Sequence, residues 1–241
     1  MDDNDLFLGD CLEKMQDLPD ASIDLILTDP PYGTTACKWD SIIPLEPMWN
    51  QIWRIAKPHT PVVLFSNQPF TSFLITSEIK HFKYIWTWEK TAPTNFLNSK
   101  KMPLRLVEDI CVFYKKQPVY NPQMLDCKPY KYRWSSGSDT YRDVRDWREN
   151  GPTETDKRQP VNVLVCGKDK EKLHPTQKPI ALLEYLIKTY SNVDDTVLDF
   201  TMGSGSTGVA SKNLRRHFIG MELDKTYFDI ATKRLGTSIL C

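Results

Sequence analysis

The segment from Thr196 to Gly208 constrains the fold more than any other part of the sequence. An apolar stretch, Thr-Val-Leu-Asp-Phe, leads into a glycine-rich turn that contains Gly203 and Gly205, and helix-forming residues follow. A strand, a glycine-rich turn and a helix in this order are typical of nucleotide-binding βαβ units, because glycine lets the backbone approach the ligand. Glu222 ends the next predicted strand, where an acidic side chain can bind ribose hydroxyls. The segment therefore predicts an α/β protein with a nucleotide site.

The position of this segment indicates how the sheet is completed. Only 33 of the 241 residues follow Gly208, enough for one further strand and one helix, so we expect residues 1–114 to supply the other strands. The predicted strands cover residues 23–28, 61–66, 82–88, 109–114, 196–200 and 217–221. The predicted helices cover residues 12–18, 44–57, 70–79, 179–190, 206–214 and 225–235. This alternation predicts a doubly wound, mostly parallel sheet. Periodicity fades from Lys115 to Lys172, which indicates a loop-rich insertion.

A second motif, Asp29-Pro30-Pro31-Tyr32, follows the predicted strand 23–28. Ligands collect at the carboxyl ends of strands in open α/β sheets, and two consecutive prolines make the turn stiff. The Asp29 carboxylate and the Pro30 carbonyl can each accept one hydrogen of an exocyclic amine, while Tyr32 stacks on the planar base that carries it. Accepting both hydrogens frees the nitrogen lone pair for attack. The motif therefore favours chemistry on an amino group, although an ordinary proline-rich turn would have the same sequence.

The formal net charge of zero conceals an uneven distribution. Residues 1–79 carry 4 basic and 12 acidic side chains, residues 80–172 carry 19 and 12, and residues 173–241 carry 8 and 7. Aromatic residues are interspersed among the Lys and Arg of the basic middle third, among them Trp86, Trp88, Tyr120, Tyr130, Tyr132, Trp134, Tyr141 and Trp147. Basic residues supply phosphate contacts and aromatic rings stack on bases, so this segment is suited to nucleic acid. A solvated, salt-bridged surface would show the same pattern.

The two motifs together resemble the amino methyltransferases of DNA. The motif at Asp29 stands far upstream of the glycine turn, an order that resembles their β group, of the Asp-Pro-Pro-Tyr type. Two further segments resemble the same family: Gly9-Asp10-Cys11-Leu12, and His174-Pro-Thr176-Gln-Lys178-Pro179. Because the four motifs span residues 9–222, the resemblance covers almost the whole chain. It implies the Rossmann-like fold of S-adenosylmethionine-dependent methyltransferases.

The resemblance also implies the roles of individual residues. The catalytic residues would be Asp29, Pro30, Pro31 and Tyr32, and the cofactor would be S-adenosylmethionine. The cofactor-binding residues would be Asp10 and Cys11 beside the adenine, Thr176 and Lys178 at the methionine end, Asp199, Gly203 and Gly205 along the site, and Glu222 at the ribose hydroxyls. The sequence departs from the family after Asp199, where many members have Pro-Phe and this chain has Phe200-Thr201. This departure puts an aromatic contact from position 201 in doubt.

We predict methylation of N6 of adenine in double-stranded DNA, with the target base flipped out of the duplex. Methylation of N4 of cytosine uses the same geometry, but it more often goes with Ser in place of Asp29. A catalytically silent DNA-binding module is the alternative from another class. Methylation of a protein amide favours Asn at position 29, and a nicotinamide oxidoreductase would have more βα units after the glycine turn. Both are therefore disfavoured.

The predicted organisation has three parts. Residues 1–116 form the catalytic half of the methyltransferase domain, residues 117–172 a DNA target-recognition insertion, and residues 173–241 the cofactor-binding half. Arginines of the insertion are expected to contact the grooves or phosphates of DNA, namely Arg133, Arg142, Arg145 and Arg148. A homodimer is an expectation that rests on the resemblance alone.

The remaining features concern the compartment of the protein and metals. The six cysteines form no Cys-x-x-Cys pair and have no histidine at ligand spacing, so we expect reduced cysteines and no metal. The acidic start, Met-Asp-Asp-Asn-Asp, is unlike a secretory signal, and the apolar runs are only long enough for strands. We therefore expect a cytoplasmic protein that does not act at a membrane.

Overall fold

The structure is a computed structural model that describes residues 4–33, 40–132, 153–169, 173 and 176–236. The chain divides into two compact units. The larger unit comprises residues 1–121 and 162–241, and the smaller one comprises residues 122–161. All the predicted catalytic and cofactor-binding residues belong to the larger unit.

Strands and helices alternate along much of the chain, as the sequence predicts. The strands are β1 (Asn4–Leu8), β2 (Leu25–Thr28), β3 (Val62–Ser66), β4 (Phe82–Thr94), β5 (Arg105–Phe113), β6 (Leu125–Tyr132), β7 (Thr153–Arg158), β8 (Val163–Cys166), β9 (Thr196–Asp199) and β10 (His217–Glu222). The α-helices are α1 (Cys11–Lys14), α2 (Leu45–Ile55), α3 (Phe70–Ser77), α4 (Ile180–Tyr190), α5 (Ser206–Asn213) and α6 (Lys225–Leu235). Short 3₁₀ turns follow α1 at Met15–Asp17 and β4 at Phe96–Asn98.

The described strands of the larger unit form one eight-stranded sheet in the order β1-β10-β9-β2-β3-β5-β4-β8. Strand β5 is antiparallel to both of its neighbours, and every other adjacent pair is parallel. The predicted mostly parallel sheet is therefore confirmed. The catalytic half and the cofactor half meet at its centre, where β2 pairs with β9.

Helices cover both faces of the sheet, which explains why the central strands are apolar throughout. On β2, Ile26 packs in a core cluster with residues of α2 and α3, whereas Leu25 and Leu27 pack in a second cluster with residues of α4. A third cluster joins α6 to β1 and β10. All four residues of β2 are buried, so this strand is held rigidly from both sides.

The glycine turn allows α5 to lie close to the sheet. A Cβ atom at Gly208 would come within 2.7 Å of the Phe218 ring and 2.8 Å of Leu235, so only glycine fits without a shift of its neighbours. Gly205 precedes α5 with φ of +78°, a conformation that side chains disfavour. These contacts place the amino end of α5 beside the carboxyl end of β9.

The smaller unit contains the antiparallel pair β6 and β7. Within it, Lys157 forms an ion pair with Asp126, and the guanidinium of Arg158 lies over the Tyr130 ring at 5.2 Å. Strand β8, although inside residues 117–172, pairs with β4 in the larger sheet. The boundaries of the insertion stay a prediction, and the four arginines expected to contact DNA lie outside the described residues.

Within the described ranges, no helix combines the length and the apolar character that crossing a membrane would require. The same ranges contain no cluster of three or more His, Cys, Asp or Glu side chains arranged to hold a metal ion.

Candidate active site

The candidate site lies at the edge of the sheet where the parallel strands end. Asp10 follows β1, Asp29 follows β2, Asp199 is the last residue of β9, and Glu222 is the last residue of β10. These four carboxylates line one cavity of about 700 Å³. Because β5 runs in the opposite direction, the start of this strand also reaches the same edge and contributes Glu108 to the lining.

Eleven of the twelve predicted site residues line this cavity, namely Asp10, Cys11, Asp29, Pro30, Pro31, Tyr32, Thr176, Lys178, Asp199, Gly203 and Glu222. Gly205 is not part of the lining. A Cβ atom at Gly205 would approach the Ala231 Cβ to 3.0 Å. This glycine therefore allows the backbone to turn close to α6 and does not contact a ligand in the cavity itself.

Both carboxylate oxygens of Asp29 accept hydrogen bonds from the protein. The Tyr32 hydroxyl donates to Oδ1, and Lys178 Nζ donates to Oδ2 at 2.5 Å. The Thr201 hydroxyl donates to the backbone carbonyl of Asp29 at 3.1 Å, which fixes the turn against the cofactor half. Burial raises the pKa of Asp29, and the positive charge of Lys178 opposes that increase. Burial and the Asp29 charge raise the pKa of Tyr32, so its hydroxyl stays protonated and acts as a donor.

The turn after Asp29 is fixed by Asp40, which the sequence analysis did not identify. Asp40 Oδ1 accepts from the backbone nitrogens of Tyr32 at 2.8 Å and Gly33 at 2.9 Å. The Tyr32 ring stacks on Phe70 with centroids 5.4 Å apart. The predicted stacking of Tyr32 on a target base stays a prediction, since one partner of this ring is already a residue of the protein.

A buried group of charges surrounds Lys178. Its Nζ contacts Asp29 and lies 3.4 Å from Glu108 Oε2, while Lys90 Nζ lies 2.5 Å from Glu108 Oε1. Burial would raise the pKa of Glu108, but the charges of Lys178 and Lys90 lower it overall. For Lys178, burial acts to lower the pKa, and the carboxylates of Asp29 and Glu108 raise it overall. The group therefore brings two acidic side chains and two lysines into contact.

The expected contact of Lys178 with the methionine end of the cofactor stays a prediction. The described partners of its ammonium group are the carboxylate of the Asp-Pro-Pro-Tyr motif and Glu108. Sequence reasoning missed Glu108 and Lys90, because nothing in a strand pattern shows which charges of β4 and β5 will face a ligand cavity. Only the antiparallel direction of β5 shows that Glu108 lies at the edge of the sheet where the parallel strands end.

Asp199 is held by donors from both halves of the domain. The Thr28 hydroxyl donates to Oδ1 at 2.5 Å, the Thr207 hydroxyl to Oδ2 at 2.6 Å, and the Thr201 backbone nitrogen to Oδ1 at 3.1 Å. The residue is 4% exposed, and burial raises its pKa to about 6 despite these donors. Thr28 thus joins the strand that carries Asp29 to the strand that carries Asp199.

Glu222 is anchored by backbone groups of the glycine turn and of its own loop. Gly203 N donates to Oε2 at 2.9 Å, and Asp224 N donates to Oε1 at 2.8 Å. Burial raises the pKa of Glu222. Each carboxylate oxygen has a second lone pair, so the anchored side chain can still accept bonds from two hydroxyls of a ligand. This geometry suits the vicinal hydroxyls of a ribose.

The loop after β1 completes this side of the cavity. Asp10 caps α1 by accepting from Leu12 N at 2.8 Å and Glu13 N at 3.3 Å. Cys11 is nearly buried, and burial raises the pKa of its thiol to about 12, so it is an uncharged, weakly polar wall of the cavity. An uncharged wall beside anchored carboxylates is suited to an adenosine group.

Comparison with known proteins assigns the family that this fold and site define. A family model described as DNA methylase, covering N6 and N4 enzymes, matches residues 23–233. The chain belongs to this family of DNA amino-methyltransferases, whose methyl donor is S-adenosylmethionine and whose substrate is DNA.

Individual relatives agree with this assignment. The type II methyltransferase M.HpaI of Haemophilus parainfluenzae is 30% identical over 98% of this chain and 75% of its own length. M.HinfI of Haemophilus influenzae is 26% identical, with coverage of 96% and 68%. The protein in the solved M1.HpyAVI–SAM complex is 27% identical to this chain and has a TM-score of 0.66. The match covers 96% of this chain and 100% of the other. The cytosine-N4-specific PvuII enzyme, at 17% identity, coverage of 99% and 88%, and a TM-score of 0.68, shows the fold alone.

Proposed function

We propose that this protein transfers a methyl group from S-adenosylmethionine to N6 of adenine in DNA. One observation supports the proposal most strongly. The Asp29 carboxylate, on a rigid Pro-Pro turn, lines the same cavity as the anchored carboxylates of Asp199 and Glu222. A group that can orient an amine therefore stands beside a group that can hold a nucleoside.

The residues present fit the cofactor. Glu222 would accept bonds from the ribose hydroxyls, Asp10 and Cys11 would border the adenine, and the backbone at Gly203 would lie along the site. Asp199 would hold the glycine-rich turn in place, and Thr176 would border the methionine end of the cofactor. When bound, S-adenosylmethionine supplies an electrophilic methyl group on its sulfonium sulfur. The cavity of about 700 Å³ is within the range of ligand pockets that enclose molecules of this size.

The catalytic work of the protein would be to orient the amine. Asp29 and the Pro30 carbonyl would each accept one hydrogen of the amino group, which leaves the nitrogen lone pair to attack. The target nitrogen must lose one proton when it gains a methyl group. Asp29 would accept that proton, because its carboxylate already accepts a hydrogen of the amine and burial raises its pKa. Positioning of the two reacting atoms supplies a large part of such a rate enhancement.

The choice of adenine rests on Asp29 itself. The cytosine-N4 chemistry of the family more often goes with Ser at this position, and Asp29 is part of an intact Asp-Pro-Pro-Tyr motif. N4 of cytosine is the second candidate, and identification of the modified nucleoside separates the two. For the rest of the chain, we propose that residues 117–172 contact DNA. The homodimer and the cytoplasmic location stay predictions.

The proposal predicts the behaviour of Asp29→Ala. Removing the acceptor of the amine should lower the rate of methyl transfer to DNA by on the order of a hundred- to a thousandfold, a loss comparable to that of one preorganised hydrogen-bonding group in other active sites. The rate is measured with labelled S-adenosylmethionine and plasmid DNA. Asp20→Ala, whose side chain is 78% exposed, is the matched control and should keep the full rate. Substantial transfer by a folded Asp29→Ala variant would contradict the proposed role.

A further inference from the structure

We propose that Glu108 is a positioning residue that takes Lys178 away from Asp29 when the target amine binds. This inference rests on the proposed function, because it explains how Asp29 becomes available to the amine. It concerns two residues that none of the predicted roles includes, Glu108 and its partner Lys90.

Both carboxylate oxygens of Asp29 already accept hydrogen bonds from side chains of the protein. Its Oδ1 accepts from the Tyr32 hydroxyl, and its Oδ2 accepts from Lys178 at 2.5 Å. An amine that approaches Asp29 must therefore share an oxygen with one of these donors or replace it. Lys178 is the costlier donor to release, because its side chain is 8% exposed and a buried ammonium ion without a partner is strongly destabilising. Release of Lys178 requires another acceptor within reach.

Glu108 is that acceptor. Among the described residues, its Oε2 is buried and has no hydrogen-bond partner of good geometry, although Lys178 Nζ lies only 3.4 Å away. A charge-assisted hydrogen bond between these atoms has a length of about 2.8 Å, so Nζ needs to move by less than about 1 Å to form it. The unsatisfied oxygen thus faces the group that must be moved.

Lys90 prevents Glu108 from moving instead. Its Nζ lies 2.5 Å from Glu108 Oε1, and its side chain is 6% exposed. The same ammonium group lies over the Trp88 ring at 5.4 Å. Lys90 and Trp88 are buried on β4, which has a neighbouring strand on each side. The ion pair with Lys90 therefore holds Glu108 in place, and Lys178 is the partner that moves.

The exchange has an electrostatic consequence at Asp29. While Lys178 contacts Asp29, its charge favours the ionised carboxylate; once Lys178 is on Glu108, Asp29 binds a proton more readily. That change is in the direction needed to accept the proton that the methylated nitrogen releases. Among the described residues, the titratable groups that act on Asp29 are Lys178, Glu108 and Tyr32, and the buried carboxyl group of Asp199 also interacts with it.

The test compares Glu108→Gln with the wild-type protein. The variant keeps the shape of the side chain but removes the charge that attracts Lys178. We expect kcat for DNA methylation to fall by about ten- to a hundredfold while KM for DNA changes less than about threefold. The acidic limb of the pH profile of kcat should move to lower pH, because the Glu108 charge raises the pKa of Asp29. A purely structural role would leave the position of that limb unchanged.

Two further variants complete the test. Glu89→Gln is the matched control: Glu89 lies between Trp88 and Lys90 on β4, so its side chain points to the opposite face, and wild-type behaviour is expected. Glu108→Asp keeps the charge on a shorter side chain and should have an intermediate kcat. Thermal unfolding and calorimetric binding of S-adenosylmethionine report whether each variant folds. If Glu108→Gln does not fold, the kcat and pH profile of Glu108→Asp decide.

The outcomes separate the two proposals. If the wild-type protein does not methylate DNA, the proposed function fails, and the role of Glu108 fails with it. If the wild type is active and folded Glu108→Gln has the same kcat and the same acidic limb, only the role of Glu108 is overturned. A lower kcat together with a shifted limb supports the exchange of Lys178 between the two carboxylates.

Discussion

Asp199→Asn tests the electrostatics of the site through protein stability. Burial raises the pKa of Asp199 from 3.8 to about 6, and the hydroxyls of Thr207 and Thr28 reduce this effect without cancelling it. Between about pH 4 and pH 6 the folded protein therefore holds more protons at this group than the unfolded chain does. Under that condition the free energy of unfolding falls as the pH rises. Asn does not titrate and lacks this pH-dependent loss.

The size of the effect follows from the shift. About two pKa units correspond to about 3 kcal/mol of stability that the wild type loses between about pH 4 and pH 7. The free energy of unfolding of Asp199→Asn minus that of the wild type should therefore increase by about this amount over the same interval. Taking the difference removes the titration of all groups that the two proteins share. The Asn side chain keeps an oxygen that can accept from Thr201 N and Thr28.

Urea unfolding at several pH values measures this difference. Asp229→Asn, which removes a half-exposed carboxylate on α6, is the matched control for the loss of one carboxyl group. A difference between Asp199→Asn and the wild type that stays constant with pH, or that decreases as the pH rises, would mean that folding does not raise the pKa of Asp199. The expected result would mean that the buried Asp199 carboxylate lowers the stability of the protein at neutral pH.

Two further predictions concern the cofactor and DNA. Glu222→Gln should weaken binding of S-adenosylmethionine by about ten- to a hundredfold in calorimetry, because hydrogen bonds to a charged acceptor are worth about 1.5–3 kcal/mol; equal affinities would exclude the ribose contact. Lys128→Glu, an exposed charge on β6, should lower the affinity for DNA and reduce the slope of log K against log salt by about one unit, whereas Lys80→Glu, at the opposite edge of the sheet from the cavity, should not. Identical salt slopes for the two variants would argue against DNA contact by residues 117–172.

The sequence was sufficient to predict the central part of the fold, and all but one of the predicted site residues line the cavity. Parallel strands end at one edge, so motifs that follow strands 23–28, 196–200 and 217–221 had to meet there. The structure brings Asp29, Asp199 and Glu222 together in one cavity, as this argument requires. The glycine turn was equally predictable from its sequence, and the structure shows that Gly208, in the first turn of α5, has no room for a side chain.

Besides β6 and β7 of the smaller unit, which lie in the segment expected to be rich in loops, two strands of the large sheet were missed for a physical reason. β1 and β8 are the two edges of the eight-stranded sheet, and each has only one neighbour. Edge strands bury less of their surface, so their sequences lack the continuous apolar run of a central strand. Val163 and Val165 on β8 are exposed, for example. Short segments with this pattern are difficult to distinguish from loops.

The charged group around Lys178 could not be predicted from spacing. Lys178 lies in the loop that precedes α4, Glu108 lies on the antiparallel strand β5, and Lys90 lies on β4. Their contacts depend on the order and direction of β4 and β5, which no local pattern determines. The resemblance to the family placed Lys178 at the site, but only the three-dimensional arrangement shows its contact with Asp29.

Methylation of adenine N6 is tested directly by mass analysis of nucleosides from DNA that the protein has modified with methyl-labelled S-adenosylmethionine. We expect labelled N6-methyladenine with the wild-type protein and almost none with Asp29→Ala. Label in N4-methylcytosine would contradict the assignment to adenine. Absence of label from DNA treated with a folded, cofactor-binding wild-type protein would contradict the proposed activity as a whole.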